Sequence, residues 1–309
     1  MSRLVGGIVS APGRGVGEPY RHTKIIATLG PATESDEKLR WLISSGVDVV
    51  RLNMAHASEE WTTGIVATIR RISQEVGRQV AIMMDVKGPE SRTAFLEGGI
   101  NLNVDDHLDL VTTAHTVDSE AEKNGIPRVG VNYPGLPQDL QIGDTVLVDS
   151  GLIQLKVLDK TDTSVRCQVL IPGRLGSRRH INLPGIKVNL PSLTEKDNAD
   201  IAIGVAKGVD FFALSFAREA KDLQTLRNAL DTLGSNARII AKIEDQSALR
   251  NLDAIVAQAD AVMVARGDLG IEIDYHQLPI VQRRIVDACH REGTPVIIAT
   301  HLLESMVDS

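Results

Sequence analysis

Two short stretches carry the densest chemistry in the chain. Lys242-Ile-Glu244 closes one apolar run, and Arg266-Gly-Asp-Leu-Gly270 closes the next. Alternation along a strand puts Lys242 and Glu244 on one side. Glu244 and Asp268 then become neighbours at adjacent strand ends. Two carboxylates with room for water suit magnesium, and a lysine beside them neutralises phosphoryl oxygens. The plainer alternative, an ion pair between neighbouring strands, explains poorly why apolar runs end in such residues. Gly267-Asp-Leu-Gly270 reads as a tight turn whose glycines let backbone N–H groups approach an anion. Further charge is packed into Asp85-Val-Lys-Gly-Pro-Glu-Ser-Arg92 and Leu175-Gly-Ser-Arg-Arg-His180. Paired arginines beside a cleft suit polyphosphate. A solvated hinge and a charged loop are the plain readings of these two stretches. Trp61, after His56, offers either a stacking face or ordinary half-buried packing.

The elements that position these groups are strands of one kind. Near-continuous apolar runs lie at 24–28, 47–51, 80–85, 209–215, 238–242, 261–266 and 295–300. Such runs imply burial on both faces, as in a parallel sheet. Amphipathic stripes at 37–45, 65–75, 196–207, 220–233, 247–259 and 278–291 predict helices between them. Repeated strand–helix units point to an α/β fold, either a (β/α) barrel or a doubly wound sheet. In a barrel the strand ends gather at one mouth, bringing Thr28, Arg51, Asn53, Asp85, Lys87, Ser215, Lys242, Glu244, Arg266, Asp268 and Thr300 together.

The stretch 93–190 differs. It has alternating runs and turn residues but no long helical stripe, with turns expected at Asp149-Ser150-Gly151 and at 159–163. It reads as a small all-β domain inserted after the third strand. The expected organisation is a mobile arm at 1–21, a barrel over 22–92 and 191–309, and the insert between them.

Composition excludes several classes. The 309 residues hold 33 Lys+Arg and 40 Asp+Glu, a net charge of -7. A chain dedicated to nucleic acid is usually basic. No apolar run approaches the roughly 20 residues of a membrane span. The two cysteines, Cys167 and Cys289, are too few for a disulfide framework and read as inert core atoms in a reducing compartment.

In order along residues 22–306, the chain resembles the pyruvate kinase family. The resemblance rests on Thr28-Leu-Gly-Pro-Ala32, Arg51-Leu-Asn53 with His56, Asp85-Val-Lys-Gly-Pro-Glu90 with Arg92, and Asn182-Leu-Pro-Gly185. It continues through Leu193-Thr-Glu-Lys-Asp197, Lys242-Ile-Glu244, Met263–Glu272, Ala299-Thr300 and Leu303–Met306. It implies a (β/α)8-type TIM barrel, of which seven strands are present, with a lid-like β domain after the third. It also implies transfer of a phosphoryl group from phosphoenolpyruvate to ADP, giving pyruvate and ATP, in a cytoplasmic homo-oligomer, a tetramer at full length.

The resemblance assigns roles residue by residue. Glu244 and Asp268 bind magnesium or manganese. Lys242 and Arg51 stabilise the transferring phosphoryl group. Gly267 receives the substrate carboxylate, and Thr300 sits near the carbon that is protonated. Arg92 and Arg179 face the nucleotide phosphates, with Asn53, His56 and Trp61 close by. Potassium would take Asn53, Asp85 and the Val86 carbonyl. The family pattern continues past position 309 into an eighth strand and a further α/β domain, so the chain is expected to be a fragment. A non-catalytic barrel that binds a phosphorylated ligand or a full-length homologue is the alternative reading.

Departures from the pattern cluster beside these positions. Ala55 replaces a serine that helps bind potassium, Asp245 an asparagine, His301 a glutamine and Ser150 an aspartate. Glu244 and Asp268 predict that magnesium or manganese is required, and the missing hydroxyl at position 55 predicts that potassium activates only weakly. Titrating each cation against pyruvate formation checks this. Strong, absolute potassium dependence would show the hydroxyl to be dispensable.

Overall fold

A computed structural model describes residues 21–55, 57–112, 122–123, 125–300, 302 and 306. His56, His301 and residues 1–20 of the expected arm lie outside the described residues. The strands are β1 (Ile26–Thr28), β2 (Val49–Asn53), β3 (Ala81–Val86), β4 (Ile100–Leu102), β5 (His107–Val111), β6 (Glu122–Lys123), β7 (Ile126–Gly130) and β8 (Thr145–Val148). They continue with β9 (Ile153–Lys160), β10 (Ser164–Ile171), β11 (Gly173–Leu175), β12 (Ile181–Asn182), β13 (Phe211–Leu214), β14 (Arg238–Ile243), β15 (Ala261–Ala265) and β16 (Val296–Ala299). The helices are α1 (Asp36–Ser44), α2 (Glu59–Val76), α3 (Leu136–Asp139), α4 (Glu195–Ala206), α5 (Ala220–Thr232), α6 (Gln246–Arg250), α7 (Leu252–Gln258), α8 (Arg266–Glu272) and α9 (Leu278–Glu292).

Seven strands form one sheet in the order β1-β2-β3-β13-β14-β15-β16, with helices following the strands, an α/β fold of the TIM type. The pairs β1·β2, β2·β3, β3·β13 and β15·β16 are parallel. All seven coincide with the apolar runs of the sequence. Strands β3, β14 and β15 are buried almost throughout, as a sheet covered on both faces requires. The end strands β1 and β16 keep partly exposed side chains.

Packing groups the chain into two compact units. One holds the described residues up to Lys87 together with Glu195–Leu214 and Leu226–Ile240. Its helices start where the sequence supplies caps. The Ser35 and Ser58 hydroxyls accept from the N–H groups of Lys38 and Trp61, and acidic residues occupy both first turns. Gly77 ends α2 at φ +70°, the left-handed conformation that a Cβ disfavours. Buried Leu39 and Ile43 of α1 and Ile65, Val66, Ile69 and Ile72 of α2 supply apolar faces for the core.

The second unit comprises Gly88–Thr194, Ser215–Thr225 and the residues from Ala241 onward. Within it lies a second seven-stranded sheet, in the order β12-β8-β9-β10-β5-β7-β6, with the small pair β11·β4. The inward faces of β5, β8, β9 and β10 form a core around Leu108, Val146, Leu155 and Val165. The turn joining β8 to β9 has Asp149, Ser150 and Gly151 all at positive φ, the conformation a tight hairpin turn demands.

Two expectations change at the strand ends. The stripe at 247–259 divides into α6 and α7 at Asn251, which leaves helical geometry. Residues 267–270, read as a tight turn, lie inside α8, because the glycines there do not outweigh Leu269 and Glu272, which are buried on one side.

Gly204, inside α4, is hemmed in. A Cβ there would lie 2.8 Å from the Phe212 ring and 2.9 Å from the Met84 methyl, both fully buried. Helix propensity favours alanine by up to about 1 kcal/mol, whereas overpacking costs about 1–3 kcal/mol. Gly204→Ala should therefore lower the melting temperature in a thermal denaturation experiment, and an unchanged or raised melting point would show that the ring relaxes freely.

Candidate active site

Charged residues follow β14 because an apolar strand ends at its carboxyl end in backbone that must turn. Lys242 is the penultimate residue of β14, and Glu244 follows the strand. Both are buried, at 7% and 1% exposure. The Lys242 ammonium lies 2.8 Å from Glu244 Oε1 and donates a 2.8 Å hydrogen bond to Ser215 Oγ. The other Glu244 oxygen, Oε2, accepts the Phe216 N–H at 2.7 Å. Burying an ion costs several kcal/mol unless it is paired and hydrogen-bonded, and both requirements are met here.

A second cluster lies at the ends of β15 and β16. The Gly267 N–H donates to Thr300 Oγ1 at 2.7 Å, and the Arg266 guanidinium donates twice to the Thr300 carbonyl at 2.9 and 3.1 Å. Thr300 is held at φ +61°, a conformation β-branched residues rarely adopt and one that collects at functional sites. Asp268 occupies the first turn of α8 and is partly exposed.

In the first unit Arg51, on β2, donates to Asp85 Oδ2 at 2.7 Å and to Thr28 Oγ1 at 3.0 Å. Asn53 Oδ1 accepts the Ala55 N–H at 3.1 Å. Val86 is buried at the end of β3. Trp61 Nε1 donates to Glu34 at 2.6 Å, so its ring is tethered at the start of α2. In the second unit Arg92 pairs with Glu90 at 2.6 Å and donates to the Arg178 carbonyl. Arg179 reaches Asp149 at 3.3 Å and stays about half exposed. The structure thus brings together Lys242 with Glu244, Gly267 with Thr300, and Arg51 with Asp85.

Sequence reasoning missed the groups that brace these residues. Phe216 sits at φ +51°. Arg218 donates to Asp245 at 3.1 Å with both side chains largely buried, and Asp245 also caps α6 through the Ala248 N–H. Asn182 donates to buried Glu272 at 2.9 Å. The run Ser215-Phe216-Ala217-Arg218 directly after a strand was the available signal.

The family model for the pyruvate kinase barrel domain matches residues 20–309. The chain belongs to the pyruvate kinase family. It is 42% identical over 290 residues to the pyruvate kinase of Geobacillus stearothermophilus and 39% identical over 288 residues to that of Staphylococcus aureus. Each alignment covers 93% of this chain and 48% of the relative, so the chain spans about half the length of these pyruvate kinases. A pyruvate kinase of known structure from Cryptosporidium parvum superposes with a TM-score of 0.86 at 36% identity, covering 92% of this chain and 58% of that one.

Pyruvate kinases use magnesium and potassium. Among the described residues no group of three or more His, Cys, Asp or Glu is placed to hold a metal. Magnesium commonly takes only one or two carboxylates and completes its shell with water and substrate phosphate. Glu244, beside the buried Lys242 ammonium, and Asp268, in the first turn of α8, are hard oxygen donors of the kind that pattern takes. On the potassium side, Asn53 Oδ1 and Asp85 already accept from Ala55 and Arg51, and residue 55 offers no hydroxyl.

The two thiols are inert. Burial raises Cys167 to about 12 and Cys289 to about 11. Glu272 is pushed up to about 7, chiefly by burial, with Asp245 adding to the rise and the Asn182 hydrogen bond opposing it. Its folded value lies above its unfolded value, so the folded state holds the proton more tightly. Stability attributable to this group is therefore present below about pH 4.5 and is lost as pH rises through about 7. The full swing is about 3 kcal/mol. Glu272→Gln, which keeps the acceptor for Asn182 and cannot ionise, should flatten the loss of stability between pH 5 and 8 in denaturant titrations. An unchanged slope would assign the pH dependence to another group.

Proposed function

We propose that the chain supplies the catalytic barrel of a pyruvate kinase, which transfers the phosphoryl group of phosphoenolpyruvate to ADP and yields pyruvate and ATP. The buried Lys242–Glu244 pair, braced by Ser215 and Phe216 in a chain of this family, carries the proposal. In the reaction the bond between phosphorus and the enol oxygen breaks, a bond to a β-phosphate oxygen of ADP forms, and the enolate takes a proton on carbon.

Each residue has a physical task in this reading. Lys242 places a fixed positive charge where negative charge moves during transfer, and a preorganised charge in a site closed to water is worth far more than one in solvent. Arg51, oriented by Asp85, offers a planar fork suited to phosphoryl oxygens. Gly267 exchanges the Thr300 hydroxyl for the substrate carboxylate as the acceptor of its N–H. That exchange releases the Thr300 hydroxyl to help deliver a proton to the enolate carbon. Arg92 and Arg179 take the nucleotide phosphates, with Asn53, His56 and Trp61 beside the nucleotide. A divalent metal held by Glu244 and Asp268 would neutralise and orient phosphoryl oxygens. The insert excludes water so that ADP accepts the phosphoryl group. The reading includes a glycolytic enzyme working in the cytoplasm as a homo-oligomer. No helix of the described residues is long and apolar enough to cross a membrane.

Lys242→Met should lower kcat about 10²–10³-fold, corresponding to about 3–4 kcal/mol of transition-state stabilisation, while the KM for phosphoenolpyruvate changes little. Steady-state kinetics on variants that melt like the parent make the measurement. Near-normal turnover would remove Lys242 from the mechanism.

A further inference from the structure

Phe216 joins two parts of the second unit that the preceding reading leaves separate. Its backbone N–H is bound to Glu244 Oε2, and its ring has two side-chain neighbours. The Arg218 guanidinium stands over the ring, 5.6 Å from its centroid, within cation–π range. The His180 ring centroid is 5.9 Å away at an interplanar angle of 54°.

Each neighbour is anchored. Arg218 is paired with Asp245, its own N–H donates to Asp222 at 2.9 Å, and its carbonyl accepts from Asn251 at 2.9 Å. His180 belongs to the segment returning from the insert. It bridges Arg92 on the outgoing segment, its carbonyl accepts the Asp149 N–H at 3.0 Å, and Ile181 beside it donates to the Ser91 carbonyl at 2.8 Å. The Phe216 ring therefore rests against the crossing through which both connections to the insert run.

A bulky residue at φ +51° is held there by its surroundings rather than by its own preference. That N–H belongs to the peptide joining Ser215 to Phe216, so with the ring and the following chain held in place, a change of φ at Phe216 would turn this peptide against the Glu244 carboxylate. We infer that Phe216 is a positioning residue: its ring, in contact with Arg218 and His180, fixes the Glu244 carboxylate for a divalent cation and makes cation affinity depend on the insert's hinge. The inference rests on the proposed role of Glu244 and adds a path from the insert to it. Removing the ring leaves the N–H in place but frees the backbone to leave the left-handed region. Weakening the hinge contact at His180 loosens the same packing without touching Glu244.

Mn2+ binding to the full-length protein, read from the free-ion electron paramagnetic resonance signal, tests this without any turnover. Phe216→Leu is expected to weaken Mn2+ binding about tenfold or more, the weight of one hydrogen bond to a charged group. Phe216→Tyr keeps the ring and should bind within about twofold of the parent, a margin well inside that weight. His180→Ala should weaken binding in the same direction, and its effect should not add to that of Phe216→Leu. Parent-like Mn2+ affinity in Phe216→Leu, or full additivity of the two changes, would overturn the inference. If Phe216→Leu fails to fold, His180→Ala decides, and parent-like affinity there overturns it. Glu244→Gln separates the two levels. Parent-like Mn2+ binding in that variant would refute the proposed metal role itself. Its loss beside unchanged Phe216→Leu would refute only the path through the ring.

Discussion

Burial of a lysine and a glutamate at the end of an apolar strand is the constraint around which the second unit is arranged. Neither ion tolerates that position alone, because desolvation costs several kcal/mol per charge. Lys242 answers with Glu244 and the Ser215 hydroxyl, and Glu244 with Lys242 and the Phe216 N–H. Ser215 and Phe216 directly follow β13, so the turn leaving one strand completes the polar shell of residues at the end of the next. Gly88 sits against the same turn, where a Cβ would make a tight 3.2 Å contact with the Ser215 carbonyl, and its φ of +69° is one that side chains rarely adopt.

The cost of holding these groups shows in the backbone. Phe216 and Thr300 both occupy the left-handed region, and both touch residues assigned to the chemistry. Strain of this kind persists only where the surroundings over-determine it. Around Phe216 they include Arg218, His180 and the capped start of α6. Around Thr300 they are two donors from Arg266 and one from Gly267. Asp245, where the family pattern has asparagine, serves this scaffold twice, as the α6 cap and as the partner of Arg218. A carboxylate pairs with the guanidinium more strongly than an amide would.

The strands were legible because burial on both faces leaves an unmistakable apolar run, as in Ala261–Ala265, and because charged residues stop each run abruptly. Lys242, Glu244 and Thr300 could be named from that grammar alone, and family motifs assigned their chemistry. For the bracing residues the run Ser215–Arg218 after β13 was a signal of position, but not of role. Phe216 looks like one more apolar side chain after a strand, and nothing in its neighbours announces a positive φ. The Asn182–Glu272 contact joins positions ninety residues apart. The short helix α8 was hidden by two glycines whose local signal is that of a turn. Local pattern reports burial and turns, whereas the orientation of a donor within the site is set by tertiary packing.

The central claim is that Glu244, beside Lys242, and Asp268 together form the cation site of a phosphoryl-transfer centre. Diffraction from crystals of the protein grown with Mn2+, with data collected at the manganese absorption edge, tests it most directly. The account predicts an anomalous peak bonded to carboxylate oxygens of both Glu244 and Asp268. A peak bonded to neither, or bound manganese elsewhere with Glu244 engaged only by Lys242 and Phe216, would contradict it.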